Sequence, residues 1–137
     1  MAAIGPTVIH DCTAGGALRA RGKLAVGQVL VQGNTYRERF RAAANLVAFE
    51  VRAKMAVTGG TPTIQAVAET ANIFGNDTTI SDATSGLTGA TNLVNNTEAN
   101  HAYTPPKGET FIDVVIDVTG GSAAGTITYV DVLTRLQ

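Results

Sequence analysis

The stretch VAFEVRAKMAV, residues 47–57, decides the fold. Its odd positions are Val47, Phe49, Val51, Ala53, Met55 and Val57, while Glu50, Arg52 and Lys54 fall on even ones. Side chains alternate across a β-strand, so this spacing puts an apolar stripe on one face and charge on the other. A helix would scatter the same apolar residues around its axis. Thr58-Gly59-Gly60-Thr61-Pro62 follows, with glycines suited to the positive φ of a tight hairpin. The spacing therefore predicts a strand, a hairpin turn and a return strand over Thr63–Glu69.

A second segment repeats the pattern. In Phe111–Val118, Ile112, Val114, Ile116 and Val118 point one way, and Asp113 and Asp117 the other. Val115 interrupts the polar side, which predicts a strand covered in part on both faces. Val118-Thr119-Gly120-Gly121 then reads as another hairpin turn, with its return over Thr126–Leu136. FEVRAKMAVTGGTPTIQAV (49–67) and FIDVVIDVTGGSAAGTITYV (111–130) thus echo each other around Val-Thr-Gly-Gly.

Upstream, LAVGQVLVQ (24–32) reads as a strand ended by the turn Gly33-Asn34. In TYRERFRAAA (35–44), Tyr36, Glu38 and Phe40 share one parity, and Arg37, Arg39 and Arg41 the other. A helix is compatible with these residue types, but the alternation favours a strand with an arginine face. Residues 1–23, broken by Pro6 and Gly15-Gly16, read as an extended arm able to lie across a neighbour. The polar stretch 70–98 reads as two or three short strands among loops, and Pro105-Pro106-Lys107-Gly108 as a turn. The expectation is an all-β chain of seven or eight strands. It forms an antiparallel β-sandwich or jelly roll over residues 24–137, preceded by the arm.

Composition agrees. The chain has 137 residues, no Trp, 5% aromatic and 15% charged residues, against about 25% charged in an average domain. A charge-poor surface suits contact with other protein, and also a plain small domain. The net charge of −1 gives no reason to expect nucleic acid. The charge is unevenly spread, however. Residues 1–54 hold eight Lys/Arg against three acids, and residues 55–137 hold two against eight. The lone Cys12 excludes an internal disulfide. The opening MAAIGPTVIH lacks the pattern of a secretory signal, and no run of about 20 apolar residues is present to span a membrane.

Chemistry is sparse. His10, Cys12 and His101 do not have zinc-ligand spacing. Asp113, Asp117 and Asp131 share the outer face of the last hairpin in this reading, where they solvate the face or hold a Ca²⁺ ion. The loop 76–82 lacks the EF-hand pattern, and neither G-x-S-x-G nor a phosphate-binding glycine motif occurs. No enzyme, cofactor or metal is expected. Arg37, Arg39 and Arg41 on one strand would place three guanidiniums about 6–7 Å apart. Tyr36 and Phe40 lie on the opposite face, so stacking and charge do not converge on nucleic acid. Carboxylates of a protein partner are the expected target.

The C-terminal ETFIDVVIDVTGGSAAGTITYVDVLTRLQ (109–137) resembles the small β-rich structural proteins of tailed bacteriophages, in particular head decoration (cement) proteins. The resemblance is one of style and carries no functional residue with it. It implies a virion protein assembled in the host cytoplasm, a dimer or trimer bound to the major capsid protein and reinforcing the shell. Contact would then run through the arm and the arginine strand, with Arg19, Arg21, Lys23, Arg37, Arg39 and Arg41 as interface candidates. A tail or head–tail connector component is the nearest alternative. A carbohydrate-binding sandwich is a further one, which the absence of Trp disfavours.

Overall fold

The computed structural model describes residues 2–5, 9–69, 90–104 and 111–137. The chain is an all-β sandwich of two sheets. Its strands are β1 (Ala2–Ile4), β2 (Ile9–Asp11), β3 (Gly16–Arg19), β4 (Val29–Leu30), β5 (Asn34–Arg41), β6 (Leu46–Gly59), β7 (Thr63–Glu69), β8 (Thr91–Asn92), β9 (Ala99–Tyr103), β10 (Phe111–Asp117) and β11 (Ala124–Leu136). The first sheet runs β1-β5-β10-β7-β8, with β2 also on β5; the second runs β3-β11-β6-β9, with β4 also on β11.

This exceeds the seven or eight strands expected. The surplus comes from short pieces that the alternation pattern cannot reveal, and from the first 23 residues. The described residues of that segment are woven into the sheets of their own chain. β1 and β2 pair parallel with β5, and β3 pairs antiparallel with β11, so the segment straps both sheets. The parallel pairs make the first sheet mixed, where a wholly antiparallel sandwich was expected. The expected strands and the Asn76–Asp82 loop within 70–89, and the turn at 105–108, lie outside the described residues.

The two Val-Thr-Gly-Gly turns are not hairpins. β6 lies in the second sheet and β7 in the first, while β10 lies in the first and β11 in the second. Each turn is an arch that carries the chain across the sandwich. Strand alternation reads the same for either connection, so the spacing by itself favours the commoner hairpin. The arch tips touch each other, and the touching requires glycine. A Cβ on Gly59 would sit 2.6 Å from the Ser122 carbonyl oxygen, and one on Gly60, at φ 61°, 2.6 Å from the Ala123 nitrogen.

The echo in the sequence is an echo in the pairing. Aligning the two Val-Thr-Gly-Gly turns makes β6 correspond to β10 and β7 to β11. In the second sheet Met55 pairs with Ile127 and Ala56 with Thr126. In the first sheet the corresponding pairs are Ile116 with Ile64 and Asp117 with Thr63. The match ends where a register shift between Ile127 and Tyr129 inserts an extra residue.

Between the sheets lie Phe40, Phe49, Val51, Met55, Ile112, Val114, Ile116, Val130 and Val132, all buried. The inward stripe runs from Phe49 to Met55 as the spacing predicts, but it begins at Leu46, since Val47 is half-buried. β10 is covered on both faces, with Phe111, Asp113 and Val115 buried alongside Ile112 and Val114. Val115 carried that signal in the sequence.

Candidate interaction surface

The arginines expected to form a contact surface separate into three groups. Arg37 and Arg39 are 1% and 0% exposed. They meet Asp113, also 0% exposed, whose register partner across the sheet is Arg39. Arg39 Nε and Nη2 donate to the two carboxylate oxygens at 2.8 and 3.0 Å, and Arg37 Nη1 donates to Oδ2 at 3.3 Å. Planar, bidentate geometry of this kind makes a buried ion pair tenable. Arg37 and Arg39 are interior anchors, which corrects their reading as surface residues. Arg41, one step beyond, is exposed, with its guanidinium 5.7 Å from the Phe111 ring centre.

Arg21 and Lys23 belong to a second anchor. Arg21 is exposed and Lys23 half-buried, but the local backbone does the holding. The Glu38 carboxylate accepts from the amides of Arg21 at 3.0 Å, Gly22 at 2.7 Å and Leu24 at 3.0 Å, and its Oε1 meets His10 Nε2. The His10 ring stacks on Phe40 with centroids 5.0 Å apart. Glu38 is 1% exposed. Three backbone amides compensate the desolvation of this buried side chain. A signal for this was present in the sequence, because Glu38 shares its parity with Tyr36 and Phe40, both core residues. A lone acid in an inward stripe requires partners.

Arg19 is the third case, and it is on the surface. It makes a bidentate pair with Asp131 at 2.8 and 3.1 Å, and its guanidinium lies 5.1 Å from the Tyr129 ring centre. The Tyr129 hydroxyl donates to Glu98, and that contact raises the pKa of the phenol. Arg52 and Glu50 approach at 3.4 Å on the same outer face of the second sheet. This face is open and carries both signs of charge, so its exposed pairs stabilise the fold only weakly.

The three aspartates proposed to share a face do not meet. Asp113 is buried in the first sheet, Asp131 pairs with Arg19 in the second, and Asp117 accepts from the Thr119 amide and hydroxyl to close the arch. Among the described residues no group of three His, Cys, Asp or Glu is placed to hold a metal ion. Among them, too, no helix is long and apolar enough to cross a membrane. Cys12 is buried, and burial pushes its thiol up to about 11. Such a thiol is a poor nucleophile at neutral pH.

His101 bridges the two sheets. It stands on β9, and its Nδ1 meets the Thr91 hydroxyl on β8 at 3.0 Å. Burial lowers its pKa from the ordinary 6.5. The unfolded chain therefore takes up the proton first as pH falls, so the neutral ring's contribution is complete above about 6.5 and declines below it. His101→Gln removes that titration. The stability difference between the native chain and this variant, measured by urea unfolding, is expected to be largest above pH 6.5 and to narrow toward pH 5.

One end of the sandwich has a different character. The arches bring Thr58–Pro62 and Thr119–Ala123 together there, and two further segments close over them. Gln32 Nε2 donates to the Gly121 carbonyl at 2.8 Å and the Gly33 amide to that of Val118 at 3.0 Å. The Leu93 amide donates to the Pro62 carbonyl at 2.8 Å and the Val57 amide to Asn95 Oδ1 at 3.0 Å. Residues 25–34, 55–63, 90–97 and 118–128 contain no Asp, Glu, Lys or Arg. Yet this end exposes Val26, Val29, Val31 and Val94 to between 56% and 60%. Each uncharged run is visible in the sequence; their convergence depends on the arches, and sequence reasoning missed it.

No protein-family model matches this chain, and comparison with curated proteins finds no match.

Proposed function

We propose that the chain is a non-enzymatic assembly protein of a viral particle, a head decoration protein that binds the assembled shell and stabilises it. What carries this reading is the uncharged arch end with its exposed valines. Protein interfaces are depleted of charge at their centre, and an apolar patch kept on a surface marks a contact site. The buried anchors point the same way. Glu38, Arg37, Arg39 and Asp113 are used to brace the fold, and the Cys12 thiol is shielded. The composition and the phage-like C-terminal half supply the choice of a virion as the setting.

The mechanism is linkage. A protein that binds the assembled shell and not its free subunits shifts the equilibrium toward the shell by an amount set by its affinity and concentration. Many small contacts then add over the particle. The test is heat disruption of capsids from phage particles, with and without the purified chain. A rise in disruption temperature that saturates with added protein is expected; an unchanged temperature at saturating protein would overturn the reading.

A further inference from the structure

We propose that segment 90–97 is an acid-opened flap of the contact surface, held shut by the bridge from Thr91 to His101. The inference rests on the reading of the arch end as a contact with the shell and adds how that contact is regulated. Segment 90–97 carries Val94, one of the exposed valines of that end, beside Leu93, which is 2% exposed and sits in the core. The segment also crosses the sandwich, since β8 belongs to the first sheet and β9 to the second.

The flap is tied to the arch end by single bonds. β8 is two residues long and pairs Asn92 with Thr63 and Thr91 with Ile64. The Leu93 amide donates to the Pro62 carbonyl at 2.8 Å, and the Asn96 amide to that of Met55 at 2.9 Å. Asn96 holds a φ of 54°, left-handed backbone that a residue with a Cβ adopts at a cost. Short pairing and local strain are what let a segment open ahead of the whole fold.

His101 closes the far side. On β9, Ala99 and His101 are buried while Asn100 and Ala102 are exposed, so the ring lies between the sheets. It is 7% exposed, with Nδ1 3.0 Å from the Thr91 hydroxyl. A protonated ring donates from both nitrogens and carries a charge that burial penalises. The charged groups of the strands around it turn elsewhere. On β6 its register partner is Val51, and Glu50 and Arg52 to either side meet each other on the outer face. At the entry to β9, Glu98 takes the Tyr129 hydroxyl. On β7 the residues beside β8 are Thr63 and Ile64, and its one acid, Glu69, is at the opposite end in register with Phe111. Among the described residues, then, no carboxylate faces the ring, and desolvation is what lowers its pKa. Parting β8 from β9 admits water and relieves the charge. It also shifts Leu93 and takes Val94 out of line with the other valines. The contact is therefore tight at neutral pH and loosened in acid, the range over which histidine changes its charge.

The test is hydrogen exchange of the native full chain at pH 7 and pH 5, with rates corrected for the intrinsic effect of pH. The Leu93 and Asn96 amides are expected to exchange about five- to tenfold faster at pH 5, the change that one pKa unit between closed and open forms produces. The core amides of Val114 and Ile116 on β10 are expected to keep their protection. His101→Gln retains a partner for Thr91 and cannot titrate, so its Leu93 and Asn96 amides are expected to exchange equally at both pH values. Should that variant misfold, a proton NMR titration of the native chain replaces it. The His101 ring and the amides of 91–96 are then expected to move with one midpoint below pH 6.5. Binding to assembled shells is expected to weaken at pH 5 for the native chain and to hold for His101→Gln.

Equal exchange of Leu93 and Asn96 at the two pH values in the native chain would overturn the proposal. So would amides of 91–96 that stay still while the His101 ring titrates, or an acid response that His101→Gln shares in full. Shell binding by the native chain that is as strong at pH 5 as at pH 7 would separate the flap from the contact and reject its regulatory role. A chain whose two amides respond to acid but which binds shells at neither pH would retain the flap and remove the decoration reading.

Discussion

Replacing Asp113 by alanine is expected to destabilise the chain by about 3–5 kcal/mol, the usual cost of removing one partner from a buried ion pair. The carboxylate is fully buried and receives Arg39 through two bonds and Arg37 through one. Without it, two guanidiniums held on β5 by the sheet register lose their shared counter-charge, and the strand cannot turn them to water without breaking the sheet. A small domain has a total stability of about 5–15 kcal/mol, so the variant should unfold at a much lower urea concentration. Asp113→Asn keeps the shape but removes the charge and turns one acceptor into a donor that faces a guanidinium. It is expected to recover a minor part of the loss. A double-mutant cycle with Arg39→Met measures the pair directly, and a coupling energy near zero would contradict the anchor.

Glu38→Gln is the second large effect, with an expected loss of about 2–4 kcal/mol from leaving buried donors unmatched. Glutamine retains the shape but turns one acceptor into a donor that faces amides. The consequence should be local before it is global. Glu38 holds the backbone at Arg21, Gly22 and Leu24 and touches His10, so it fixes the segment between the two sheets. Cys12 lies in that segment, 6% exposed. Its thiol should react with a maleimide slowly in the native chain and much faster in the variant, at urea concentrations where the rest of the fold persists. Equal labelling rates would show that Glu38 does not hold the segment.

Both effects concern residues whose meaning the sequence disclosed unevenly. The β6 and β10 stripes were legible because burial of one face imposes a period of two, and β10 even announced its second covered face through Val115. Whether two such strands join by a hairpin or an arch depends on which sheet receives the second strand. That is decided by tertiary packing, and Val-Thr-Gly-Gly fits both. Arginine is rarely buried, so Arg37 and Arg39 read as surface residues. Their burial depends on Asp113 arriving beside them from 76 and 74 residues away. Glu38 was readable in principle, from its parity with Tyr36 and Phe40.

The candidate contact surface was legible only in pieces. Low overall charge pointed to protein contact, and the contact proposed above does not run through the basic residues. Of the six basic residues first assigned to it, Arg37 and Arg39 are interior and Arg19 is paired on an open sheet face. The uncharged arch end instead gathers segments centred near residues 29, 59, 94 and 121, joined by hydrogen bonds between chain regions far apart in sequence.

Binding of the purified chain to assembled phage shells, compared with its binding to free capsid subunits by co-sedimentation, tests the proposed function most directly. Saturable binding to shells with none to free subunits is the expected result, and it should weaken in the Val29→Glu/Val31→Glu variant. Absence of binding to shells, or equal binding to shells and free subunits, would contradict it.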